Sequence, residues 1–173
     1  ITGADKHSLP HRIKNDGVVG VTTNPSIFGA AITGATEYAA DIAAMKGATV
    51  DEVITKLTTD DVRAACDLFT NIYSSTAGVD GRVSIEVDPR SAHDTAKTVA
   101  EGRALFALVN RPNVMIKVPA TLEGLPAITE LIAAGISVNV TLIFSLERYA
   151  AVIDAFMTGI EKRVAAGGSV SDV

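Results

Sequence analysis

Tryptophan is absent, aromatic residues make up only 5% of the chain, and there is a single cysteine, Cys66. One cysteine permits no intramolecular disulfide, so a reducing, cytoplasmic setting is expected. No run approaches the roughly 18 consecutive apolar residues of a membrane span, and the N-terminus lacks the charged-then-apolar pattern of a signal peptide. A soluble chain with no membrane partner is expected. Basic residues are outnumbered 15 to 20 by acidic ones, for a formal charge of −5, and they are scattered. Without a basic face there is nothing to neutralise a run of phosphates, which argues against nucleic acid as a partner. The three histidines, His7, His11 and His93, show neither HExxH spacing nor acids in a ligand pattern, so no metal site is expected and all three read as surface residues.

What is present is an ordinary globular composition: 173 residues, 47% of them hydrophobic, enough for one domain with a substantial core. Four short runs rich in Val and Ile, bounded by Gly, Pro, Asn or Asp, read as strands: Val18 to Thr23, Arg82 to Val87, Asn113 to Pro119 and Ile136 to Ile143. Helical spacing fills the intervals. Tyr149, Val152, Ile153, Phe156, Ile160 and Val164 form one apolar stripe that stops at Gly167 and Gly168. Between the first two strands more than one helix is expected, with Thr58 and Asp61 placed to restart a helix whose apolar face is Val62, Cys66, Phe69 and Tyr73. Cys66 within that face reads as a small core residue with no chemistry. Strands separated by helices this long cannot pair as hairpins, so the sheet is parallel and the class is α/β. No linker or low-complexity tract divides the chain.

Alternate residues of a strand share a face, and that rule sorts the polar residues. Thr22 and Asn24 fall together on the first strand, Ser84, Glu86 and Asp88 on the second, Asn139 and Thr141 on the fourth, and Lys117 stands alone on the third. The opposite parity is apolar: Val21, Val83, Ile85, Val87, Ile116, Val118, Val138, Val140 and Leu142 are expected to pack beneath the helices. Polar groups on the inner face, near the carboxyl ends of parallel strands, occupy the place where βα-barrels build active sites. Lys117 is the sharpest signal, because burying an ammonium is costly and favours the neutral amine that attacks carbonyls. Glu86 on a neighbouring strand suits a general base, or else an ion-pair partner for Lys117 or Arg82. Asn24, Asn139, Thr22 and Thr141 suit the hydroxyls of a sugar, although each alone could simply satisfy buried backbone groups.

Four segments resemble, in order, the signature strands of the transaldolase family: Gly-Val-Thr-Thr-Asn-Pro-Ser-Ile-Phe from residue 20, Arg-Val-Ser-Ile-Glu-Val-Asp-Pro-Arg from residue 82, Met-Ile-Lys-Val-Pro-Ala-Thr from residue 115, and Gly-Ile-Ser-Val-Asn-Val-Thr-Leu-Ile-Phe-Ser from residue 135. The resemblance implies a (β/α)₈ TIM barrel, here strands two to five with their helices, so that residues 1–173 form one barrel domain incomplete at both ends. It implies transfer of a dihydroxyacetone unit from sedoheptulose 7-phosphate or fructose 6-phosphate to an aldose phosphate, a step of the pentose phosphate pathway, without metal or organic cofactor. Lys117 becomes the Schiff-base lysine. Glu86 moves protons through a water held with Thr141, Asn24 and Asn139 hold hydroxyls or the nitrogen-bound intermediate, and Thr22 lies with them on the substrate side. The family's first-strand aspartate has no counterpart, since the chain opens at Ile1 with a loop and a short helix around Leu9 to Lys14. The serine and arginines that bind phosphate on later strands are missing too. A chain of this extent is therefore expected to be inactive alone and to self-associate through open barrel edges. Two other readings are a fructose-6-phosphate aldolase, whose members typically carry glutamine where Glu86 stands, and a catalytically silent barrel fragment.

Overall fold

The computed structural model describes residues 7–34, 36–171 and 173. The loop expected at Ile1 lies outside them. The elements alternate as expected: α1 (Leu9–Asn15), β1 (Val21–Thr22), α2 (Pro25–Gly34), α3 (Ala39–Ala44), α4 (Val50–Ser75), β2 (Val83–Glu86), a 3-10 turn at Pro89–Ser91, α5 (Thr95–Val109), β3 (Val114–Pro119), α6 (Gly124–Ala133), β4 (Val138–Thr141) and α7 (Leu146–Ala165). The strands hydrogen-bond in chain order, β1-β2-β3-β4. Each is shorter than the Val- and Ile-rich run that announced it, although backbone hydrogen bonds such as Val87 N to Lys117 O and Ile116 N to Ser137 O continue just past the strand ends. Among the described residues no helix is long and apolar enough to cross a membrane.

The chain resolves into two compact units, residues 1–83 with 109–113, and residues 84–108 with 114–173. In the first, the amide of Val21 donates to Arg82 O at 3.1 Å and that of Gly81 to Val19 O at 2.6 Å. The interval between β1 and β2 holds three helices. No restart occurs at Thr58, however: α4 runs unbroken from a capping box at its own start, where Thr49 Oγ1 accepts from Glu52 N and Glu52 Oε2 from Thr49 N. Thr58 instead bonds backward within the helix, donating to Ile54 O at 2.8 Å, which removes its capping signal. Leu57, Val62, Ala65, Cys66 and Phe69 form the buried face of α4. Burial pushes the Cys66 thiol up to about 12, so it remains protonated and unreactive. Buried Asn113 donates through Nδ2 to both Cys66 O (2.9 Å) and Gly81 O (2.8 Å), tying α4 to the approach of β2.

In the second unit β3 and β4 pair in parallel, with Ile116 opposite Val138, Lys117 opposite Asn139, Val118 opposite Val140 and Pro119 opposite Thr141. Ile85, Val87, Ile116 and Val118 are buried on the apolar parity, together with Ala127, Ile128, Leu131 and Ile132 of α6. Leu142, expected on that face, is exposed instead: its φ of +62° is left-handed, which turns the chain out of the strand one residue past Thr141.

Helix α7 also differs from its sequence pattern. The inner face is Val152, Ala155 and Gly159, while Tyr149, Ile153, Phe156 and Val164 of the large apolar stripe stay exposed. Close approach of α6 explains this, since a Cβ on Gly159 would lie 2.7 Å from Ile132 Cβ and 2.9 Å from Thr129 O. Thr129 Oγ1 in turn donates to Ala155 O at 2.8 Å. In an open helix Gly→Ala stabilises by about 1 kcal/mol. Here Gly159→Ala is expected to destabilise by about 1–3 kcal/mol through overpacking, read as a lowered urea midpoint. A raised midpoint would show that the two helices do not meet as closely as stated.

Candidate active site

Lys117 lies fourth in the six-residue strand β3, between buried Ile116 and Val118, and β-alternation turns its side chain away from the helices. The side chain is only 10% exposed. Glu86 ends β2 on the matching face, 19% exposed, and its Oε2 is 3.1 Å from Lys117 Nζ. Backbone pairing fixes the meeting: Val87 N donates to Lys117 O at 3.2 Å, holding the end of β2 at the level of the lysine. A partly buried carboxylate in contact with an ammonium compensates its charge in place. An amine and a carboxylate within hydrogen-bond reach are the pairing of groups that covalent catalysis uses.

Asn139 stands directly opposite Lys117 in the β3–β4 register. Its Nδ2 donates to Ser84 Oγ at 3.0 Å. Ser84 is buried and shares parity with Glu86; the sequence pattern groups it with the inner face but assigns it no role. Two residues beyond Asn139, Thr141 O accepts from Ala120 N at 2.8 Å, while Thr141 Oγ1 is buried without a hydrogen-bond partner. Such an orphaned hydroxyl costs roughly 1–3 kcal/mol unless something polar meets it, so it marks a place where a water or a substrate oxygen is favoured. The structure thus brings Lys117, Glu86 and Asn139 together at the strand ends of the second unit, with Thr141 two residues further along β4.

Thr22 and Asn24 belong to the first unit. Thr22 is exposed. Asn24 is half-buried, and its Oδ1 accepts from Ile27 N at 2.8 Å, capping the start of α2. The Asn24 side chain therefore does satisfy a backbone group. Arg82, the other candidate partner for Glu86, instead donates to Gly78 O at 2.7 Å and stacks over the Tyr73 ring.

The loops that follow β2 and β3 are laced together. Thr121 Oγ1 donates to Ala92 O at 2.5 Å, Thr95 Oγ1 to Glu123 O at 2.6 Å, and exposed His93 meets Glu123 Oε2 at 3.1 Å. Glu101 of α5, which no sequence motif flagged, accepts from Asp88 N at 2.7 Å and from Ser91 Oγ at 3.1 Å. Among the described residues no group of three or more His, Cys, Asp or Glu is arranged to hold a metal ion.

Strands alternating with helices, adjacent in chain order within one sheet and carrying an amine and a carboxylate in contact on one face, define an α/β protein whose topology is that of consecutive barrel units. Comparison with known proteins is more specific. The family model for transaldolase/fructose-6-phosphate aldolase matches residues 3–170. Transaldolase 1 of Streptomyces coelicolor is 62% identical over 162 residues, which is 92% of this chain and 42% of that protein. A transaldolase of an Arthrobacter species is 60% identical over 168 residues, covering 96% and 45%, and that of Mycolicibacterium smegmatis 55% over 168 residues, with the same coverage. The chain belongs to the transaldolase/fructose-6-phosphate aldolase family, and its four strands are consecutive βα units of that family's barrel. It spans less than half the length of these curated relatives.

Proposed function

We propose that the complete protein is a transaldolase working through a Schiff base on Lys117, and that the residues of this chain form part of a single (β/α)-barrel domain. The observation that carries the reading is the contact between buried Lys117 and Glu86, 3.1 Å apart on adjoining strands, in a chain more than half identical to proteins named transaldolase. The neutral amine adds to the ketone of sedoheptulose 7-phosphate or fructose 6-phosphate and expels water to form an imine. The C3–C4 bond then breaks, its electrons passing into the protonated imine at C2 to leave an enamine, while the C4 hydroxyl loses its proton and C4 departs as the aldehyde carbon of an aldose phosphate. The enamine adds to the acceptor aldose phosphate, and water returns the amine. Glu86 moves the protons, by way of a water that Thr141 Oγ1 helps to hold. Asn139, Asn24 and Thr22 bind hydroxyls of the substrate or the nitrogen-bound intermediate. This chemistry needs neither metal nor organic cofactor. The reaction belongs to the pentose phosphate pathway and the setting is the cytoplasm. Sugar phosphates are the small-molecule partners, and the 173-residue chain alone self-associates through the open edges of its sheet.

The test is borohydride trapping of the complete protein with fructose 6-phosphate, alongside transfer to erythrose 4-phosphate in a coupled assay. A reduced adduct on Lys117 together with acceptor-dependent turnover is expected. Steady release of free dihydroxyacetone without acceptor would make the protein an aldolase, and absence of any adduct would end the Schiff-base reading.

A further inference from the structure

We propose that Glu101, on helix α5, is a positioning residue that holds the Glu86 carboxylate against Lys117. The inference rests on the Schiff-base reading above. Glu86 is the last residue of β2, and past it the sheet ladder pins the chain by a single bond, Val87 N to Lys117 O. Immediately beyond, the chain must leave the strand for the turn at Pro89–Ser91, and an unsupported strand end frays. Glu101 supplies the missing anchor with both carboxylate oxygens: Oε1 accepts from Asp88 N at 2.7 Å, and Oε2 from Ser91 Oγ at 3.1 Å. Thr98, one turn earlier on the same face of α5, donates to Ser91 O at 2.8 Å within the buried interior. The two ends of the turn are therefore gripped from one helix. The Asp88 side chain is already committed elsewhere, accepting from Arg90 N at 2.8 Å and Arg90 Nε at 2.7 Å. Its amide accordingly depends on Glu101.

A grip positions only if its own base is fixed, and residue 102 fixes it. Gly102 is buried, and a Cβ there would lie 3.0 Å from Leu131 Cδ1 and 3.4 Å from Ile116 Cγ2. Helix α5 thus packs tightly against α6 and β3 beside Glu101. The result is a closed path: Lys117 on β3, the adjoining packing of α5, Glu101, the Asp88 amide, and back through two residues of chain to Glu86. Glu101 itself touches no reacting atom. Its effect on the chemistry runs through the 3.1 Å Glu86–Lys117 distance, and small misplacement of a proton-transfer group lowers the rate without weakening substrate binding.

The experiment compares Glu101→Met, which keeps length and packing but removes both acceptors, with Glu101→Gln, which restores one acceptor oxygen for the Asp88 amide. In the complete protein Glu101→Met is expected to lower kcat on the order of ten-fold. KM for fructose 6-phosphate and the yield of borohydride-trapped Lys117 adduct should stay within about two-fold, since imine formation needs the lysine rather than the strand end. Glu101→Gln should recover most of the lost rate. Ser91→Ala removes only the second bond and is expected to lower kcat a few-fold with trapping unchanged, which provides a reading should Glu101→Met not fold. Parental kcat in Glu101→Met, or in Ser91→Ala if that variant alone folds, overturns the proposal. So does a parallel loss of kcat, trapping and thermal stability that Gln does not rescue, because it would make Glu101 merely structural. Failure of the parental protein to trap any adduct would instead strike the Schiff-base reading, so the two failures are distinguishable.

Discussion

Lys117→Ala in the complete protein is expected to abolish both the borohydride-trapped adduct and transfer, with turnover lower by on the order of 10⁴-fold or more, as when a covalent nucleophile is removed. No other described lysine of this chain can substitute. Lys14, Lys46, Lys56, Lys97 and Lys162 are all exposed at the surface and none lies on a strand of the sheet. The variant also leaves Glu86 partly buried without its ammonium partner, a loss that destabilises more than replacing the pair with apolar residues would. Circular dichroism at the assay temperature must therefore accompany the kinetics. An adduct formed in undiminished yield by the folded variant would remove Lys117 from the mechanism.

Glu86→Gln separates the steps that Lys117→Ala abolishes together. The amide is nearly isosteric and can still hydrogen-bond to Lys117 Nζ, so folding and substrate binding are retained. The ability to take up and return a proton is lost. Transfer is expected to slow by about 10²- to 10⁴-fold, while the adduct remains trappable on a longer timescale. The structure sharpens this expectation, because the carboxylate is in direct contact with the amine rather than across the site from it. A variant that turned over at the parental rate would reduce Glu86 to an ion-pair partner and leave the protons to some other group.

The sequence by itself determined which residues share a face. Alternation in β-strands is local, so Ser84 with Glu86, Asn139 with Thr141, and Lys117 against its apolar neighbours are sorted without reference to any partner strand. The apolar parity is sorted in the same way, and Val83, Ile85, Val87, Ile116 and Val118 are buried as that pattern requires. The four family motifs added the order of the strands and the family to which the chain belongs.

Only the tertiary structure decided who meets whom. Periodicity gave Lys117 and Glu86 one face but not the 3.1 Å between them, which depends on the register of β2 and β3 through Val87 and Lys117. The Asn139–Ser84 hydrogen bond joins residues 55 positions apart, beyond any local signal. Local signals also failed in three places, each where a longer-range contact or the path of the chain outweighed them. Thr58 carried a capping pattern, yet α4 continues through it because the helix is already started at Thr49 and its face is buried on both sides of that point. The large apolar residues of α7 predicted the inner face, but the near approach of α6 admits only Val152, Ala155 and Gly159. Leu142 followed the strand alternation in sequence and left it in space at a left-handed turn. Glu101 carried no motif at all, since a carboxylate on a helix becomes an anchor only when folding brings the amide of Asp88 to it.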